Sequence, residues 1–209
     1  MTSSTLAASQ PSWAAHWFGT YAAQAPGDVG TRMREGCIYP TLALIPPLLI
    51  SYGFAVLILR TYTTWRGLKL EKLAGQISMY PAFLVLIWQS HTTLVVYPRF
   101  WDLDQYAWRQ QGTVAECDFF ATLYIACNFV QAVGQIKTEK SPLREQLMIH
   151  HALSIACYAS SFYFDQFRWW TALAGICELT NLFLIPVFAC KEFFPEWKTH
   201  VSYRRLLLG

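Results

Sequence analysis

The stretch LMIHHALSIACY, residues 147–158, places two adjacent imidazoles, His150 and His151, inside an otherwise apolar run. Histidine is the usual general base near neutral pH, so the pair is the first candidate for proton transfer. His151, Ser154 and Tyr158 follow an i, i+3, i+7 spacing, which sets them on one face of a helix. Glu178 and Asn181 stand at i, i+3 in a later apolar run. Asn128, Gln131 and Gln135 repeat the i, i+3, i+7 spacing in another, and Gln89, Ser90 and His91 form a polar trio in a fourth. An ionisable group in an apolar span is costly unless it faces protein or a wet cavity. The economical arrangement turns these faces toward a shared interior. His150, His151 and Glu178 are then the catalytic candidates, with His91, Asn128, Gln131, Ser154, Tyr158 and Asn181 around a substrate. For the amides the plainer reading is interhelical hydrogen bonding, worth about 0.6 kcal/mol each.

A metal site is not expected. Adjacent helical residues diverge by about 100°, so His150 and His151 cannot readily chelate one ion alone. The six cysteines, at 37, 117, 127, 157, 177 and 190, form no C-x-x-C pair. Cys37 and Cys117 fall at the starts of two spans on the same expected side. They can pair only if their Cα atoms come within about 7 Å, and two free thiols are the plainer expectation.

These side chains need helices to position them, and the composition says where. The chain has 209 residues, 54% of them hydrophobic and only 14% charged, with a mean hydropathy of +0.26. A soluble domain carries roughly 25% charged residues. The 16% aromatic content, with nine Trp, suits membrane interfaces. A net charge of +3 is too small and scattered for a nucleic-acid reader.

Five apolar runs approach the roughly 20 residues that cross a bilayer. They are residues 38–59, with Pro46-Pro47 predicting a kink, then 77–97, 117–136, 147–164 and 167–189. Glu178 then lies near the middle of the fifth. The organisation expected is an outer N-terminal segment, 1–37, a transmembrane domain, 38–189, and a basic tail, 190–209. Between spans, five Lys and Arg fall on one side and 11 on the other. The positive-inside rule therefore puts the N-terminus outside and the C-terminus inside. Residues 12–24 place Trp13, Trp17 and Tyr21 at i, i+4, i+8, a stripe suited to lying in the outer interface. The first residues lack the charged start and apolar run of a secretory signal.

A basic loop, then L-M-I-H-H-A-L-S at a helix start, then E-L-T in the next span, resembles the TLC-domain family over residues 38–189. That family comprises multi-span, mostly endoplasmic-reticulum proteins that include ceramide synthases. The resemblance implies an all-α polytopic bundle acting on or sensing lipids, by acyl transfer from acyl-CoA in its ceramide-synthase branch. His150 and His151 match the histidine pair. Glu178 and Asn181 stand where ceramide synthases carry two Asp, which places the chain nearer the other branches. The family usually has a further span after the acidic helix, so the fold implied here is truncated at the C-terminus. Lys137, Lys140 and Arg144 are candidate contacts for acyl-CoA phosphates, although such loops mostly follow the topology rule. No other cofactor is implied. The competing reading is a non-catalytic subunit of a large membrane complex, such as a mitochondrial respiratory assembly, which keeps the fold without the chemistry. The endoplasmic reticulum is the expected membrane on the first reading and the mitochondrial inner membrane on the second. Membrane lipids are the expected partners, joined by other subunits on the second reading.

Overall fold

A computed structural model of the chain describes residues 28–62, 67–92, 115–136, 142–167 and 175–193. The aromatic stripe at 12–24, Lys137, Lys140 and the tail beyond 193 lie outside the described residues. Those described form helices and turns with no strand among them. The helices are α1 (Val29–Tyr62), α2 (Leu68–Ser78), α3 (Tyr80–His91), α4 (Ala115–Ile136), α5 (Pro142–Phe164) and α6 (Gly175–Phe193).

α1 starts well before the apolar run does. Asp28 caps it: its carboxylate accepts from the Thr31 amide at 3.1 Å and from the Thr31 hydroxyl at 3.0 Å. These bonds hold the Asp28 carboxyl below the usual carboxylate range. The next seven residues, Arg32–Ile38, wind as a π-helix before the α-helix resumes at Tyr39. Arg32 in this segment donates from Nε to Phe162 O at 3.5 Å and from a terminal nitrogen to Tyr163 O at 3.3 Å. It thereby caps the C-terminal carbonyls of α5 with a cation, as the helix dipole favours. α5 closes on itself as well. Asp165 takes a left-handed φ of 56°, and the Gln166 amide donates back to Ser161 O at 3.1 Å.

The expected first loop contains a helix. Gly67, at φ 65°, turns the chain into α2, which buries Leu70, Leu73 and Ala74 at i, i+3, i+4 and packs on α1. Lys72, one of the 11 Lys and Arg on the expected inner side, rides the exposed side of this helix. A turn at Met79 separates α2 from α3, and Pro81 begins α3 where its missing N–H costs little. Ser51 of α1 donates to the Ser78 carbonyl at this break, at 2.8 Å. α5 begins at Pro142, five residues before the apolar run, with Glu145 in its first turn. Both residues favour a helix N-terminus. The last expected span changes most. Phe167 is non-helical, with φ 62°, and the described helix α6 starts at Gly175.

Three helical stretches among the described residues are long and apolar enough to cross a membrane: Val29–Tyr62, Leu70–His91 and Cys117–Ile136. α5 is 23 residues long but less apolar, and the apolar part of α6, Gly175–Val187, is shorter. Burial ranks the three. Only 11% of the apolar window of α1 is buried, against 50% for α4. Leu49, Ile50, Phe54, Leu57 and Ile58 of α1 are exposed, as they would be against lipid. α4 is the axis of the bundle and packs on α1, α3 and α5. The core gathers on it through Cys117, Phe120, Ala121, Ala126 and Cys127, with Leu86 of α3 and Phe162 of α5. Cys37 and Cys117 are both buried, and no disulfide joins them.

Pro186 lies inside α6 and has no N–H to give the carbonyl of Leu182, four residues earlier. The Tyr80 hydroxyl of α3 donates to that carbonyl at 3.3 Å. Tyr80→Phe is expected to destabilise the protein by about 1 kcal/mol, the lower end of the cost of an orphaned acceptor because the Leu182 carbonyl is only partly buried. In a Pro186→Ala background the helix supplies its own donor, and the same change should cost far less. Thermal unfolding of the four proteins in detergent measures the coupling. Equal costs in both backgrounds would show that Tyr80 has no such role.

Candidate functional site

Four helices supply one polar pocket. α4 contributes Tyr124, Cys127, Asn128 and Gln131, α5 contributes His150, α6 contributes Glu178 and Asn181, and α3 closes it with Phe83. Its volume is about 50 Å3. That is room for a few waters and for no acyl chain.

The two histidines take different parts. His151 is buried, at 5% exposure, and its Nδ1 lies 2.8 Å from Asn128 Oδ1. The Asn128 amide nitrogen donates to the Tyr124 carbonyl at 2.9 Å, which orients the side chain and turns Oδ1 toward the imidazole. That arrangement assigns the proton of neutral His151 to Nδ1. His150 is exposed on its outer side and lines the pocket. The two rings meet edge to face, 5.5 Å apart at 62°. The roughly 100° between adjacent residues produces the division: one ring is locked across to α4 and the other faces the pocket.

Glu178 is buried and sits in the first turn of α6, where the helix dipole favours a carboxylate. The expected position near the middle of a span is therefore corrected to a helix start. Asn181 donates to Glu178 Oε2 at 2.7 Å. The Tyr124 hydroxyl also faces this carboxyl, and the side chains of Asn128 and Ser154 face the same hydroxyl. Tyr124 is held by stacking on Tyr158, with centroids 4.5 Å apart, and on Phe120 at 5.9 Å.

Of the candidates read from the sequence, His150, Glu178, Asn128, Gln131 and Asn181 meet at the pocket. His151 stands behind Asn128, Tyr158 packs beneath Tyr124, and Ser154 faces the Tyr124 hydroxyl. His91 does not join them. It is exposed at the end of α3 beside Trp88, with ring centroids 6.4 Å apart. Arg144 donates to Ile136 O at 3.4 Å, so it caps the C-terminus of α4. Tyr124 and Cys127 were missed. Tyr124 had a signal, since Tyr124, Asn128 and Gln131 follow i, i+4, i+7 on one face. Among the described residues, no group of three or more His, Cys, Asp or Glu could hold a metal ion.

No family model, curated protein or solved structure matches the chain.

Proposed function

We propose that the protein is an integral membrane protein of TLC-like fold that acts on, or senses, the polar group of a membrane lipid at the His150–Glu178 pocket. The observation that carries this reading is the convergence of a carboxylate, an imidazole and three amides from three apolar helices on one small cavity. Such groups are costly within a bilayer and mark functional sites there. The size of the pocket suits a hydroxyl or amine, with the rest of the lipid left in the bilayer. In an acyl transfer, His150 takes the acceptor's proton as its oxygen or nitrogen attacks the thioester carbonyl of acyl-CoA. The proton then passes to the departing thiolate. Glu178, held by Asn181 and Tyr124, sets the local charge. On this reading α5 and α6 also cross the membrane, making five spans within the endoplasmic reticulum. Acyl-CoA is the co-substrate, with Lys137 and Lys140 left to meet its phosphates.

A non-catalytic subunit is the second reading, and the His151–Asn128 bond favours it. A bond across helices gives a histidine a purely structural reason to be there. The membrane on that reading is the mitochondrial inner membrane. Lipid profiling of cells with and without the protein, together with purification from native membranes, separates the two. A changed lipid class and a protein that purifies alone support the first. A fixed stoichiometric complex with an unchanged lipid profile replaces it with the second.

Orientation is tested separately. The 5-to-11 division of Lys and Arg puts the N-terminus outside. A tag at Met1 should be protected from protease in sealed vesicles with the cytosolic face outward, while a tag at Gly209 should be cleaved. Cleavage at Met1 would overturn this arrangement.

A further inference from the structure

A proline inside a helix withholds the amide that the carbonyl four residues earlier would accept. In α6 the loss at Pro186 is made good, because the Tyr80 hydroxyl of α3 donates to the Leu182 carbonyl at 3.3 Å. In α1 the adjacent Pro46 and Pro47 withhold their amides from the carbonyls of Leu42 and Ala43. Among the described residues no side chain takes their place. The nearby hydroxyls of α1 are turned elsewhere: Thr41 is buried on the inner face, and Ser51 donates to the Ser78 carbonyl at 2.8 Å. Leu42, Ala43, Pro46 and Pro47 are all exposed, so both carbonyls lie on the side of α1 that faces away from the bundle. They also fall in the middle third of the apolar stretch Val29–Tyr62. Exposed apolar side chains alone suit lipid. Two such carbonyls do not, since hydrocarbon offers no donor and backbone polar groups at membrane depth must be satisfied. From Pro46 the same face continues through Ile50, Gly53 and Leu57, all exposed, at i+4, i+7 and i+11. A Cβ added at Gly53 would meet nothing within 4 Å. Small residues such as Ala43 and Gly53 let another membrane helix come close to the backbone.

We propose that this face of α1 docks a transmembrane helix of another protein, which brings hydroxyl or indole donors to the Leu42 and Ala43 carbonyls. The two acceptors decide what the occupant must carry. A lipid chain has no donor to give. A second copy seated by the same face has none either. About a two-fold axis along the membrane normal, the copies present the same residues at the same depth, and Ala43–Pro47 hold no side-chain donor. The proposal stands apart from the reading of the pocket, since an enzyme and a non-catalytic subunit can each carry such a partner.

The test places the photoreactive residue benzoylphenylalanine in the full chain, within its native membranes. It replaces Leu49, exposed at the edge of the α1 face, or, as a control, Phe129, exposed on α4. Adducts formed on illumination are mapped by mass spectrometry. Position 49 is expected to join a membrane-spanning segment of another protein that bears Ser, Thr, Tyr or Trp within two turns of the linked residue. Position 129 is not expected to join that segment. A Pro46→Ala, Pro47→Ala double variant returns both amides to α1 and removes the need for donors. The adduct should then fall at least about fivefold, the effect of two interhelical hydrogen bonds. The melting temperature of the double variant in detergent should hold or rise. If the double variant fails to fold, Gly53→Trp takes its place, filling open space on the same face, and should abolish the adduct. An adduct indifferent to these changes, or a partner segment without such donors, would overturn the proposal. So would an adduct with lipid alone, with a second copy, within the chain itself, or none at all. Lipid profiling reads the pocket and the position-49 adduct reads α1, so each reading can fail while the other stands.

Discussion

If the protein acts as the proposed acyltransferase, His150→Ala is expected to lower its turnover by about 10²–10⁴-fold with the melting temperature unchanged, whereas His151→Ala should chiefly lower stability. The first magnitude is the usual contribution of a general base. Stability should survive the loss of His150 because that residue is exposed, and exposed substitutions away from special features cost about 0.5 kcal/mol or less. His151 is buried against Asn128, so its removal strands an amide oxygen and opens a cavity. The orphaned acceptor alone costs about 1–3 kcal/mol. Unfolding in detergent, paired with product formation per folded molecule, reads both effects. If neither variant changes any lipid product while His151→Ala impairs assembly, the structural-subunit reading gains. If His150→Ala destabilises as much as His151→Ala, the division of labour between the two rings is wrong.

Gly175→Ala is expected to be the most damaging alanine substitution among the described glycines. A Cβ at this position would stand 2.6 Å from Phe120 Cε2, 2.6 Å from Ser90 Cβ and 3.0 Å from the Leu86 carbonyl oxygen. Phe120 is fully buried, Ser90 nearly so, and Leu86 O is backbone, so none of the three yields cheaply. Overpacking of this kind typically costs about 1–3 kcal/mol, and three simultaneous clashes put it at or beyond the upper end. The displacement would also carry Glu178, one turn on, away from the pocket. Gly53→Ala and Gly134→Ala are the controls. Both lie within helices with open space around the added carbon, and each should be neutral or gain up to about 1 kcal/mol. Thermal scans of the three variants settle the matter, and a Gly175→Ala protein as stable as the controls would disprove the close approach.

Hydropathy and periodicity made part of this molecule legible. The expected span at 117–136 matches α4 to within two residues, because an unbroken apolar run leaves little choice of boundary. The first loop misled because its Lys and Arg drew attention from Leu70, Leu73 and Ala74, whose spacing already marks an amphipathic helix. The start of α6 differs from the expected one because hydropathy does not register a backbone turn such as that at Phe167, and the aromatic and apolar residues after Arg168 extend the run. At the site, helical spacing put Asn128 with Gln131 and His151 with Ser154, since residues on one helix share a face by arithmetic. It could not pair His151 with Asn128, because that depends on how α5 is rotated against α4. Tyr124 escaped notice for the reason aromatic residues often do in such helices: its ring belongs to the core and only its hydroxyl reaches the pocket.

The bond between Asn128 and His151 spans 23 residues of chain, and a ribosome delivers those residues in order. At roughly 5–20 residues per second, His151 follows Asn128 by about 1–5 s. During that interval α4 must enter the membrane with Asn128 satisfied only by the Tyr124 carbonyl of its own preceding turn, and with Gln131 still lacking its pocket neighbours on α5 and α6. α1 faces no such wait, since it is apolar on nearly every side. The insertion machinery would therefore release α1 early and hold α4 until α5 arrives. Nascent chains long enough to clear α4 from the ribosome but not α5 should leave α4 cross-linked to the translocon, and chains long enough to clear α5 as well should not.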